Sequence, residues 1–378
     1  MRPSDPSARC HLSPCGRAKA ASGGRPWKRT PKLCFGYVAS PDAIRVRGCG
    51  LSIDLNPSPQ PSPTRGEGAH RRCRYSRLNS HSVFIKRALE AWLVCFCLAL
   101  TAIGCPARAQ DPINVVASFS ILGDFVRNVG GARVSVTTLV GPDGDVHVYT
   151  PAPADAKEIA DARLMVINGL GLEGWLPRLL QSAGSKAPIV TATKGIAPLR
   201  AGTSADPHAW QSVANAKVYV ANIRDALVAA DPADAGVFRA NAETYLAKLD
   251  ALDREVREAV AQIPESRRKV ISTHDAFAYF ASAYGIEFIA PEGVSTESEA
   301  SARDIAGIIT QIRTSKVPAV FLENISDDRL MRRIAAETGD RIGGTLYSDS
   351  LTGEKGGAPT YIDMVRHNIK ALTDALAN

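Results

Sequence analysis

Residues 231–263 carry the longest regular pattern in the chain, and that pattern limits what the rest can fold into. Asp231-Pro232 offers a helix N-cap followed by a first-turn proline, and Pro264 closes the segment. Between them Phe238, Tyr245, Leu249, Leu252, Val256, Val260 and Ile263 recur at spacings of three, four or seven, as one face of an α-helix requires. At 1.5 Å per residue, Pro232 to Ile263 make a rod of about 48 Å, longer than a small lobe is wide. The helix is therefore expected to bridge two lobes. The alternative is a break near Gly236 that shortens it at its first turn.

On both sides of this segment, short β-branched runs alternate with helical patterns. Before it, Ile113–Phe119, Val134–Val140, Leu164–Asn168 and Pro188–Ala192 read as strands, with helices such as Leu122–Val129 and Pro153–Ala160 between them. After it, Lys269–Thr273, Glu287–Ala290, Ala319–Leu322 and Gly344–Tyr347 repeat the alternation. This is βαβ order, which implies mostly parallel sheets. The expected fold is α/β: a lobe over residues 110–230, a long rigid helix over 231–263 and a second lobe over 264–378.

Charge and cysteine content divide the chain at residue 110. Residues 1–109 hold 18 Lys and Arg against 5 Asp and Glu, a net +13; residues 110–378 hold 27 against 33, a net −6. All eight cysteines, Cys105 the last, precede residue 110. Residues 1–82 mix Pro, Ser, Gly and Arg without apolar periodicity and read as a leader outside any folded domain. Val83-Phe84-Ile85-Lys86-Arg87, the uncharged run Ala91–Gly104 and Ala107-Arg108-Ala109 then supply the three parts of a secretory signal peptide, residues 83–109. That run is shorter than the roughly 20 residues of a spanning helix, so a membrane anchor is the weaker reading. Ala102-Ile103-Gly104-Cys105 loosely resembles a lipobox, which makes lipoprotein anchoring a minor alternative. A signal this far into a chain points to a misplaced start, with the true one near Leu78 or Val83, because no Met lies between Met1 and Met165. The mature protein is thus expected to be acidic, cysteine-free and exported, without recourse to disulfides. Its acidity argues against nucleic acid as a partner.

Residues 110–378 contain four histidines. His147 lies in GPDGDVHVYTP, His208 in ADPHAWQ and His274 in VISTHDAFAYF, each where a strand or loop gives way to the next element. His274 and Asp349 leave two strands of one lobe in equivalent fashion, and ligands of open α/β sheets bind beyond such strand ends. Three imidazoles and a carboxylate, two from each lobe, suffice for a tetrahedral shell around a borderline cation such as zinc. Singly each signal is weak, since a loop histidine is commonly solvated and Asp349 could cap the next helix. His367, within the helical pattern Tyr361–Leu376, reads as an exposed surface histidine.

The strings GPDGDVHVYTP, DPHAW, STHDAFAYFASAYGI and LYSDSLTG, followed by APTYIDMVRHN, closely resemble the zinc/manganese solute-binding proteins of ABC importers, in order and spacing across essentially all of residues 112–376. The resemblance implies two α/β lobes joined by one long helix, with one metal ligand from each of the first four motifs: His147, His208, His274 and Asp349. It also implies a periplasmic carrier that hands zinc to an ABC permease, with no catalytic residues. Manganese-preferring relatives usually carry glutamate at the third position, so His274 favours zinc over manganese. The sequence departs from the family at Val146, where proline is usual, and at Thr150, where glutamate is usual; the ligand position is unaffected, but a more flexible loop is expected. Residues 148–207 lack the histidine-rich loop of many zinc-specific members, which leaves loading to a periplasmic zinc metallochaperone as an open alternative. The carrier is expected to act as a monomer.

Asp143, Asp145, Asp206, Asp275 and Glu323 are candidates to accept the other ring N–H of the metal-binding histidines. Trp210 and Tyr149 are candidates to shield the site from water or simply to pack. Two other classes compete: a zinc hydrolase with an open metal position, against which stand Asp349 and the lack of an H-E-x-x-H motif, and a metal-binding surface adhesin on the same fold.

Overall fold

A computed structural model describes residues 86–87, 89–93, 111–315 and 317–377. The chain divides into two units, Met1–Val94 and Cys95–Asn378. In the first, the described residues are helical, with Leu89, Trp92 and Leu93 exposed. The rest of the expected leader and signal peptide lies outside the described residues. No described helix is long and apolar enough to cross a membrane.

The second unit holds both lobes. In the first lobe, β1 (Ile113–Phe119), β2 (Val134–Val140), β3 (Leu164–Ile167) and β4 (Ile189–Thr191) form a parallel sheet in the order β2-β1-β3-β4. Helices α1 (Ser120–Gly130), α2 (Pro153–Asp161) and α3 (Leu176–Ala183) connect them, and α4 (Val213–Ala230) follows a small antiparallel hairpin of β5 (Arg200–Ala201) and β6 (Ser204–Ala205). β1 is hydrophobic on both faces because helices cover both sides of a parallel sheet, and Val115, Val116, Ala117 and Phe119 are all buried.

Helix α5 (Ala235–Ala261) carries the predicted stripe, with Phe238, Tyr245, Leu249, Leu252, Val256 and Val260 buried. It is shorter than the expected rod, about 40 Å. Pro232–Asp234 instead form a 3-10 turn, started by Asp231, whose side chain accepts from the Ala233 N–H at 3.2 Å. Gly236 does not interrupt the helix.

The second lobe repeats the first arrangement: β7 (Lys269–Ile271), α6 (Ala278–Tyr284), β8 (Glu287–Ile289), α7 (Ala302–Ser315), β9 (Val320–Glu323), α8 (Arg329–Thr338), β10 (Ile342–Leu346) and α9 (Tyr361–Leu376). Its parallel sheet runs β10-β9-β7-β8. Chain order reverses between β7 and β9, which makes the gap between them the switch point where ligands of such sheets bind.

Helix α5 packs on α1 and α4 of the first lobe and on α6 and α9 of the second. One buried cluster accordingly runs from Val115 and Phe125 through the α5 stripe to Phe321 and Met364. Asp124 of α1, itself buried, accepts from the Tyr361 N–H of α9 at 3.1 Å and the Tyr245 hydroxyl of α5 at 3.3 Å, tying the three elements at one point.

Candidate metal centre

The loop after β2 turns at Asp143, whose left-handed φ of 56° is one that aspartate tolerates better than most residues. Its N–H then donates to the Leu351 carbonyl of the other lobe at 2.9 Å, and His147 follows four residues later. His208 caps the 3-10 turn Ala209–Gln211 that leads into α4. His274 leaves β7 at the switch point, and Asp349 leaves β10. Asp349 does not cap the next helix; Thr360 does, accepting from the Asp363 N–H.

These elements bring the four residues together. One donor atom from each lies within 4.8 Å of all the others, and all four residues are buried. Asp349 Oδ2 is 3.1 Å from His147 Nε2, 3.1 Å from His274 Nε2 and 3.7 Å from His208 Nε2, while the Nε2 atoms of His147 and His208 are 3.2 Å apart. A tetrahedron with bonds of about 2.0–2.1 Å has edges of about 3.3 Å, and these separations bracket that figure. The other Asp349 oxygen, Oδ1, is buried with no hydrogen-bond partner among the described residues. A buried carboxylate oxygen left bare costs stability unless something positive meets it.

The outer partners of the imidazoles differ. His274 Nδ1 lies 2.6 Å from Glu323 Oε2, and Glu323 Oε1 accepts from the Thr273 and His274 N–H groups at 2.8 and 3.1 Å. Glu323 thus fixes both ring and backbone across the β7/β9 gap. His208 Nδ1 lies 2.8 Å from Asp206 Oδ1, which also accepts from the His208 N–H. Asp145 meets His147 only at its backbone N–H, at 2.8 Å, and no described group pairs with His147 Nδ1. Asp143 accepts from Asn324 instead, and Asp275, whose carboxyl burial pushes up against the pull of the nearby His208 and His274, makes no hydrogen bond to their rings among the described residues.

Charge within the cluster is strongly coupled. Burial alone would raise the Asp349 carboxyl, but the imidazoles of His274 and His208 hold it well below the carboxylate range. Burial alone would lower His274, but the Glu323 and Asp349 carboxylates carry it well above the ordinary histidine value. His208 is raised in the same way by Asp349 and Asp206 against its burial. The pocket favours positive charge at its centre.

Several contacts that hold the centre were not foreseen, because each joins residues far apart in sequence. Tyr279 donates to the Asp206 carbonyl at 2.9 Å, Tyr361 to the Trp210 carbonyl at 2.7 Å, and Trp210 and Gln211 both donate to the Ser348 carbonyl. The His208 loop belongs to the first lobe by sequence but is held by the second. Trp210 is buried behind His208, ring centroids 5.3 Å apart, whereas Tyr149 packs on Trp175 and donates to Asp155 away from the ligands. The reading of His367 as an exposed histidine is corrected: it is partly buried, its Nε2 lies 3.0 Å from the Thr345 carbonyl and its ring packs on Tyr347. That carbonyl belongs to β10, a neighbour in space only.

Residues 115–375 match the family model described as ZnuA, zinc-uptake complex component A, periplasmic. The chain belongs to this family. It is a metal-binding solute-binding protein of an ABC importer, periplasmic and not an enzyme. Among curated relatives, the manganese-binding lipoprotein MntA of Halalkalibacterium halodurans is 36% identical over 287 residues, covering 74% of this chain and 96% of that protein. The iron-binding protein YfeA of Yersinia pestis is 35% identical over 305 residues, covering 78% and 97%. Among solved structures, the periplasmic zinc binding protein TroA from Treponema pallidum superposes with a TM-score of 0.68 at 31% identity, covering 71% of this chain and all of that one. Family members thus carry names for three different metals, and membership alone does not select one.

Proposed function

We propose that this protein captures one zinc ion between its lobes through His147, His208, His274 and Asp349 and delivers it to an ABC permease, whose docking distorts the site and releases the ion. The observation that carries this reading is the convergence of four buried donors on one point, with a carboxylate oxygen there that no described group satisfies. All four donors come from one chain, which supports a carrier that works as a monomer. Three imidazoles and a single carboxylate make a nitrogen-rich shell suited to zinc, whereas manganese favours oxygen donors. The likeness to TroA, named a zinc binding protein, agrees with this, and the relatives named for manganese and iron make the metal the point to test.

The deciding experiment is competition between zinc and manganese in the wild type and in His274→Glu. The wild type is expected to prefer zinc, and the glutamate to shift the ratio toward manganese by roughly tenfold or more, about 1.4 kcal/mol. Equal competition in both proteins would remove the basis for assigning zinc.

A further inference from the structure

The four ligands are not held alike, and the difference falls on one side of the site. His208, His274 and Asp349 have side chains wholly without exposed surface, whereas the His147 side chain retains 4%. His208 and His274 each have a carboxylate against Nδ1, and His147 has none among the described residues. The His208 loop and the Asp349 loop are further bonded to each other through Trp210, Gln211 and Ser348. Three ligands therefore form one braced block, and the fourth is an imidazole whose ring, among the described residues, hydrogen-bonds only through Nε2.

A surface cavity of about 970 Å³ opens beside that fourth ligand. His147 lines it together with Tyr149, Ala156, Trp175, Arg178 and Glu297, and none of the other three ligands reaches it. On its second-lobe side the segment carrying Glu297 is fastened across the lobes, since the Thr296 hydroxyl donates to Asp145 Oδ2 at 2.6 Å. The other oxygen of that carboxylate holds the His147 backbone N–H. One hydroxyl thus closes the rim and steadies the loop of the least buried ligand together.

We propose that the metal exchanges through this cavity, with His147 as the ligand that leaves first and returns last. In the exchange the bond from metal to His147 Nε2 breaks, a donor atom of the acceptor entering from the cavity takes that position, and the imidazole keeps its lone pair. The block of His208, His274 and Asp349 holds the ion until the transfer is complete.

The proposal rests on the zinc-carrier reading, and its test separates the two. Zinc-loaded full-length mature protein is mixed in a stopped-flow instrument with the chelator 4-(2-pyridylazo)resorcinol, and the release rate is read from its colour. Thr296→Val, which loosens the rim, is expected to release zinc about fivefold faster, equivalent to about 1 kcal/mol at 1.36 kcal/mol per tenfold. Ala156→Trp, which fills part of the cavity from α2, is expected to release it about fivefold slower. A wild-type release rate in either variant, both still loading with zinc, overturns the route alone. A wild-type protein that takes up no zinc defeats the carrier reading instead.

Discussion

At the scale of single residues, the centre is a balance between buried carboxylates and the protons on neighbouring imidazoles. His274 is raised well above its ordinary value, so its stabilising interaction with Glu323 and Asp349 is fully present below about pH 6.5 and is lost as pH rises through that raised value. Asp349 is depressed, so its contribution is present above about pH 4 and is lost only as pH falls through its low folded value. The metal-free protein therefore keeps this stabilisation across mildly acidic pH, and a metal must displace protons to bind. Zinc affinity measured calorimetrically between about pH 5.5 and about pH 8.5 is expected to keep rising to the top of that range, beyond the roughly pH 7.5 at which free histidines have largely finished titrating. An affinity flat across that range would contradict the coupling. The carboxylates packed around the rings raise the pH at which a metal can displace those protons. The candidate ligands were legible because each sits in a motif at a strand exit. The partners that set their charge were legible only as a pool of five carboxylates, from which the fold selects Asp206 and Glu323 for the rings.

At the scale of elements, the helix α5 stripe was readable because a helical face repeats within a few residues, while strand ends shifted by one or two residues because pairing partners define them. β10 starts at Ile342, two residues earlier than its sequence pattern suggests, through pairing with Val320 and an irregularity before Gly344. The β5–β6 hairpin was not visible at all, since two-residue strands carry no periodicity. Helix α5 serves as a shared wall for both lobes, so its buried positions should matter to the whole unit. Leu252→Ala removes a fully buried side chain from that wall and is expected to cost about 2–5 kcal/mol in urea unfolding, with one transition retained. A loss below about 1 kcal/mol, or two separate transitions, would show that the helix is not common to both lobes.

At the scale of the whole folded unit, the two lobes are joined by more than a linker. The core runs through both, the Asp124 knot ties α1, α5 and α9, and the loop that carries His208 is gripped by Tyr279 and Tyr361 from the other lobe. None of these cross-lobe bonds could be read from the sequence, because their members lie 70 or more positions apart. Such stitching suits a carrier whose ligand loops adjust around a fixed frame. It makes the four-donor centre a property of the assembled lobes, since removing either lobe removes two donors. The most direct test is X-ray absorption at the metal edge on protein purified without added metal, alongside Asp349→Ala. One zinc per chain, with three nitrogens and one oxygen at about 2.0–2.1 Å and the oxygen altered in the variant, is the expected result. A six-coordinate, oxygen-rich manganese or iron shell, or a zinc spectrum indifferent to Asp349→Ala, would contradict it.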